Sequence, residues 1–192
     1  MNAPMSKLAT TPRICHAEHL PGTVAQDARV PVLIVGGGAC GLIAALMLHD
    51  AGVDCAVLER DATPLGSSAL SSGFIPAPGT QAQRAAGIDD SPERFAADIS
   101  AKAKGRAAPH LVQAYAQAIG PALDALQARH GLQWQVLDGF LYPGHSVRRM
   151  HATPEKTGVG LMGRLANAVT ARTFRSLPKP PCASCGSTPS SA

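Results

Sequence analysis

Aromatic residues are scarce in this 192-residue chain, at 4%, which is low for a compact domain, whereas sixteen prolines are many. A hydrophobic share of 45% still leaves enough apolar material for one ordinary domain or part of a larger one. No apolar stretch approaches the length of a membrane span. The first 25 residues contain prolines, histidines and Glu18 without an apolar core, which argues against a secretory signal and makes the cytoplasm the default location. A basic face is lacking too, although the net charge is +4. Lys7, Arg13 and Arg29 against Glu18 and Asp27 give the first 29 residues a net of +1, and Arg172, Arg175 and Lys179 stand against no acid in residues 171–192. The central part, 30–170, is therefore neutral, and no nucleic-acid footprint is expected.

The five cysteines do not form a framework. Cys40 and Cys55 read as small buried residues of a reducing compartment. Cys182 and Cys185 have CxxC spacing but no second pair and no nearby histidine, so no metal site is expected.

What the chain does have is the stretch Val32 to Arg60, VLIVGGGACGLIAALMLHDAGVDCAVLER. Val32 to Val35 suit a parallel strand buried on both faces. Gly36 allows a tight turn, Gly38 lets backbone approach a pyrophosphate, and Gly41 lets the following helix lie close to the sheet. The helix is expected over 39–51, with Ala44, Ala45 and Leu48 toward the sheet and Gly52 as its stop. Its free N–H groups would receive phosphate oxygens. A second strand, Val53 to Leu58, ends in Glu59, 18 residues past Gly41, where a carboxylate can accept from ribose hydroxyls. The order and spacing of strand, glycines, helix, strand and acid point to a dinucleotide, with FAD and NAD both open at this stage.

Gly66 to Gly73, GSSALSSG, follows directly. Small hydroxylated residues let backbone amides come close to phosphate and ribityl oxygens, and their side chains add hydrogen bonds. A plain polar linker is the alternative.

Together VGGGACGLIAALMLHDAG, VLER and LGSSALSSGFIPAPGT resemble the N-terminal part of the fumarate reductase/succinate dehydrogenase flavoprotein family, FAD-dependent oxidoreductases that include ketosteroid dehydrogenases and aspartate oxidases. The resemblance implies a partial Rossmann-like α/β FAD-binding domain with helical and short-strand insertions. It implies that Gly36, Gly38, Ala39, Cys40 and Gly41 surround the pyrophosphate, with Glu59 and Arg60 at the adenosine end. Gly66, Ser67, Ser68, Ser71, Ser72 and Gly73 would run along the pyrophosphate, ribityl chain and flavin. Some members bond a loop histidine covalently to the flavin. No histidine lies between Asp50 and Pro109, so FAD is expected to be held non-covalently.

Farther along, Ser91-Pro92-Glu93 starts a helix expected to run to about Lys104. Pro109 opens another, which Gly120-Pro121 is expected to break; a separate helix from Ala122 to about Arg129 then ends at Gly131. Trp134 to Tyr142 read as short strands. Gly144-His145-Ser146-Val147-Arg148-Arg149-Met150-His151 resembles a family run near the flavin and a small-molecule substrate, which makes His145, Arg148 and His151 substrate-side candidates. An exposed basic strand is the competing expectation. Gly158 to Val169 reads as a helix, after which a third parallel strand should come.

It does not come. Residues 171–192 have no acid, no period and abundant Ser, Pro and Cys, the composition of a disordered tail. They also fit an out-of-frame translation. With one choice of synonymous codons, another frame across Ala171 to Pro180 encodes Ala-Asp-Ile-Pro-Leu-Val-Thr-Glu-Ala, a strand-like phrase. The expected organisation is a flexible extension (1–29), an incomplete FAD-binding domain (30–170) and the tail. Such a piece should expose one apolar face of its sheet and lack most substrate-handling residues. An NAD-dependent dehydrogenase or a non-catalytic nucleotide-binding fragment is the alternative function.

Overall fold

The computed structural model describes residues 30–61, 66–139 and 141–172. The expected extension 1–29 and the tail from Thr173 onward, with its out-of-frame reading, lie outside the described residues.

The fold is a partial Rossmann-like α/β unit. Strand β1 (Val32–Val35) and strand β2 (Cys55–Leu58) pair in parallel, Val32 opposite Cys55 and Val35 opposite Leu58. Helix α1 (Ala39–Asp50) connects them. Ala45 is buried as expected, but with Leu42 and Leu46, while Ala44 and Leu48 are only half-buried. The reason is a second neighbour: α1 packs on helix α6 (Gly158–Thr170) as well as on the strands. The expectation that β1 is covered on both faces needs correction. Ile34 faces α1, whereas Leu33 is 52% and Val35 82% exposed on the opposite face, because no described element lies there.

A four-residue helix, α2 (Ser67–Leu70), interrupts the serine-rich loop and packs on α6. Strand β3 (Ile75–Pro76) and helix α3 (Gln81–Ala85) follow. Thr80 caps α3, its hydroxyl accepting from the Gln83 N–H while the Gln83 side chain reaches back to the Thr80 N–H. Helix α4 (Pro92–Lys102) begins as the sequence predicts, with Ser91 accepting from the Arg94 N–H and proline in the first turn.

Helix α5 (Pro109–His130) is where sequence and structure part most clearly. It runs unbroken through Pro121. Val112, Ala116, Gly120, Leu123 and Leu126 form one buried face across the proline, and the packing of that face outweighs one missing N–H. Gly120 is small for another reason. A Cβ there would lie 2.2 Å from the Pro78 carbonyl oxygen. The helix ends as expected at Gly131, in the left-handed region at φ 71°.

Strand β4 (Gln135–Val136) and strand β5 (Met150–Ala152) join β3 in a small antiparallel sheet of order β3-β5-β4. Among the described residues of the stretch Trp134 to Tyr142 only Gln135 and Val136 are strand; Trp134 instead enters the core, its indole N–H donating to the Leu123 carbonyl at 2.9 Å. The main core lies where α1, α5 and α6 meet, with Leu42, Leu46, Leu123, Leu126, Leu161 and Leu165 at its centre. Fully burying each such leucine contributes about 1.5–3 kcal/mol. Arg172, in the expected tail, is anchored: its guanidinium donates to the carbonyls of Ala168 and Arg129.

Candidate functional site

The β1–α1 turn is built from backbone contacts that only glycine allows at two points. Gly36 has φ 101° and its N–H donates to the Leu58 carbonyl at 2.7 Å, tying the turn to β2. A Cβ on Gly41 would meet the Gly36 carbonyl oxygen at 2.0 Å and the Ile34 side chain at 3.2 Å. Gly41 thus lets α1 approach both the turn and the strand.

Gly38 differs in kind. Its φ is −69°, and a Cβ would find only the Ser68 hydroxyl, at an ordinary 3.7 Å. The protein alone does not demand glycine there. Gly38 does line a cleft of about 160 Å³, shared with Glu59, Arg60, Gly66, Ser67 and Ser68, and a side chain would take space from whatever fills it. Asp61, Ala69 and Met162 complete the lining. At its back lies the start of α1, which has no side-chain cap; Ala39 N–H meets the Ser68 hydroxyl at 3.3 Å. A helix N-terminus without a cap, a glycine that opens space and a row of hydroxyls suit a phosphate chain.

Glu59 is held in place before any ligand is considered. Its carboxylate accepts from the N–H of Gly37 at 2.7 Å and from that of Asp61 at 3.0 Å. The Asp61 N–H and then the Gly37 N–H hold this carboxyl below its ordinary pKa, so it is an acceptor at neutral pH. Arg60 points outward and pairs with Asp61 at 3.0 Å.

Other expected residues do different work. Cys55 is buried as expected, but Cys40 is not: it is exposed on the first turn of α1. Ser71 spends its hydroxyl on the loop, donating to the Ser68 carbonyl at 2.7 Å and accepting from the Gly73 N–H at 3.0 Å. Ser72 is exposed, and Gly73, at φ 68°, is packed against Thr157. Gly37, Asp61 and Met162 are participants that sequence reading missed. Gly37 was legible in part, as the middle glycine of a run with an acid at the end of the next strand; Met162 arrives from a helix about a hundred residues away in sequence.

The run 144–151 lies elsewhere and divides in two. His145 stands with Tyr142, Gly144, Asp98 and Lys102 around a second cleft of about 290 Å³. Burial, and then the Arg149 charge, hold its imidazole below the ordinary pKa. Arg148 is exposed and donates to the Asp138 carbonyl at 3.3 Å. His151 is fully buried. Its Nδ1 meets the Arg149 carbonyl at 2.9 Å, which requires an N–H there, and its Nε2 accepts from the Thr80 hydroxyl at 2.7 Å. Burial depresses its pKa and keeps it neutral. The exposed basic strand expected here is also corrected: the strand is buried, because Arg149 is neutralised by Asp90 and Asp98.

Residues 31–179 match the family described as FAD binding domain. The chain belongs to that family. Its cofactor is accordingly FAD. Among relatives of this flavoprotein, urocanate reductase from Eggerthella lenta is 32% identical over 136 residues, 71% of this chain and 22% of that protein. The acrylate reductase flavoprotein subunit of Shewanella woodyi is 31% identical over 166 residues, 84% of this chain and 31% of that one. The solved open conformation of a flavocytochrome c3 fumarate reductase superposes with a TM-score of 0.67 at 25% identity, covering 77% of this chain and 26% of the other. The flavoprotein thus spans between a fifth and a third of the length of these relatives. Among the described residues, no helix is long and apolar enough to cross a membrane.

Proposed function

We propose that residues 30–170 form the adenosine-binding end of an oxidoreductase that reduces or desaturates a carbon–carbon bond beside a carboxylate or ketone. The observation that carries this reading is the convergence of Gly38, Glu59 and Ser67–Ser68 on one cleft at the start of α1. Gly36 to Gly41 take the pyrophosphate side, and Glu59, already held by two backbone N–H groups, faces the ribose with its remaining lone pairs. Ser67 and Ser68 lie along the phosphates. Bound FAD supplies hydride chemistry, and this chain's residues hold and orient it. The loop offers no histidine for a covalent bond, so acid precipitation should release all flavin into the supernatant.

Reductase names among the relatives support the reaction class. On the substrate side His145 is favoured over the other candidates, since it borders an open cleft while His151 is buried. No residue here is assigned as proton donor, and we infer that these 192 residues bind FAD without turnover.

The test is titration of the purified chain with FAD, read by quenching of flavin fluorescence, followed by assay with an artificial electron acceptor. Saturable binding that Glu59→Gln weakens by about tenfold or more is expected, since an amide has one acceptor where the carboxylate has two. Absence of binding would refute the cofactor site, and sustained turnover the non-catalytic reading.

A further inference from the structure

The cleft beside His145 lies between the last turns of α4 and the turn that precedes β5. Asp98 and Lys102 both line it and stand four residues apart on α4, the spacing at which opposite charges normally pair. They do not pair here, and among the described residues the Lys102 ammonium has no partner at all. The fold draws the two apart. Arg149 and the N–H and hydroxyl of Ser146 all converge on Asp98 Oδ2, the serine groups at 2.8 and 2.9 Å, which leaves Oδ1 without a hydrogen bond among the described residues. The Lys102 stem lies along Gly144, whose φ is 93°; a Cβ there would come within 2.9 Å of Lys102 Cδ.

Charge narrows what the cleft can take. Asp90 and Asp98 share the single Arg149 cation, so this group carries one negative charge in excess, while Lys102 carries one positive charge. A ligand with one charge satisfies one of these and is repelled by the other; a zwitterion satisfies both. Side chains at this helical spacing have Cβ atoms about 5–6 Å apart, close enough for neighbouring ammonium and carboxylate groups of one small molecule to reach both. The rest of the wall is mainly apolar, with Ile99, Ala103 and Pro143 beside the Tyr142 and His145 rings, whose centres are 5.2 Å apart. The imidazole also packs edge-on to Phe95 at 5.9 Å, and its buried Nδ1 has no partner among the described residues. At about 290 Å³ the cleft is at the small end for ligand pockets and suits one ring-sized group.

We propose that this cleft binds a free α-amino acid with an apolar or aromatic side chain, its carboxylate at Lys102, its ammonium at Asp98 and its side chain against Ile99, Ala103 and the Tyr142 ring. The inference deepens, and rests on, the reading of His145 as a ligand-side residue. It is independent of the FAD cleft, since no residue lines both.

The 192-residue protein is titrated with L-phenylalanine, phenylpropanoate and phenethylamine, followed by NMR. These present the same ring with both charges, the carboxylate alone and the ammonium alone. Phenylalanine should bind about fivefold or more tighter than either analogue. Lys102→Met should weaken phenylalanine and phenylpropanoate by about fivefold or more, while phenethylamine affinity does not fall. Lys104→Met removes the same charge from an exposed residue outside the cleft and should change no affinity by more than about twofold. Equal affinities for the three compounds, insensitivity to Lys102→Met, or no binding by wild type would each overturn the inference. FAD titrated into the same samples keeps the two sites apart: FAD binding without phenylalanine binding overturns this inference alone, and phenylalanine binding without FAD binding upholds it and refutes the FAD site.

Discussion

Asp90 and Arg149 form an ion pair with both side chains fully buried, Nε to Oδ2 at 2.8 Å and Nη2 to Oδ1 at 2.9 Å. The same guanidinium reaches Asp98 and lies 4.7 Å from the centre of the Phe95 ring. Asp98 in turn accepts from the backbone N–H and the hydroxyl of Ser146, so one cation fixes α4, β5 and the turn that carries His145. Gln83 completes the cluster by donating to Asp90 and to the Arg148 carbonyl.

Removing that cation leaves the Asp90 and Asp98 carboxylates with only neutral hydrogen-bond donors and no counter-charge. Arg149→Met should therefore cost about 3–5 kcal/mol, as for other broken buried pairs. Adding Asp90→Asn should recover part of the loss, with a coupling of about 1 kcal/mol or more. Urea unfolding of the four proteins of the cycle measures this. A single-variant loss below about 1 kcal/mol would show that water reaches the pair.

Pro121 and Gly120 should respond in opposite directions. Pro121 is exposed, and replacement by alanine restores the N–H that can donate to the Gln117 carbonyl. A helix-interior proline costs up to about 3 kcal/mol relative to alanine, so Pro121→Ala should stabilise by about 1–3 kcal/mol. Gly120→Ala drives a methyl into the Pro78 carbonyl and should destabilise, despite alanine's better helix propensity. Thermal melts of the two variants decide, and a gain for Gly120→Ala contradicts the close contact.

These two positions also show what the sequence could disclose. Gly120-Pro121 has the local signature of a helix end, and only the distribution of buried residues on both sides of it, Val112 to Leu126, reveals one continuous face. Arg149 reads as a surface charge because its partners Asp90 and Asp98 are more than fifty residues distant. By contrast the β1–α1–β2 unit and Glu59 were legible, since turn, helix and acid are set by neighbours within one stretch. The strands β3, β4 and β5 are two or three residues long, too short for an alternating pattern to register.

Acid should destabilise the fold before the carboxylates titrate. Burial is the first cause lowering the pKa of His130, His145 and His151. His130 sits at the C-terminal ends of α5 and α1, with Nε2 3.0 Å from Asp50, while Arg129, His49 and Arg172 are the other charged or titratable groups around it. His145 has Arg149, Asp98 and Asp90 nearby, and His151 has Asp124 and Asp90. Each folded-state pKa lies below that of the unfolded chain, so the unfolded state binds protons first as pH falls. Stability is fully present above the unfolded histidine value of about 6.5 and declines as pH drops from there toward the folded values. Denaturant midpoints measured from pH 8 to pH 5 should fall in that window; a flat profile would mean that the three imidazoles titrate in the fold as they do in the unfolded chain.

The uncovered side of β1 makes the last prediction. Leu33 and Val35 share one face of a two-stranded sheet, at 52% and 82% exposure, and no further strand among the described residues pairs with its edges. Apolar side chains on an open strand edge invite pairing with another copy. Threonine is β-branched and suits a strand while making the face polar, so Leu33→Thr combined with Val35→Thr should lower light scattering of the concentrated protein. Ile34, on the opposite face against α1, must stay apolar, and Ile34→Thr should lower stability instead. Leu33 and Val35 are not among the residues that line the cleft, so FAD affinity should stay within about twofold of wild type. If scattering persists with both threonines in place, the association proceeds through another surface.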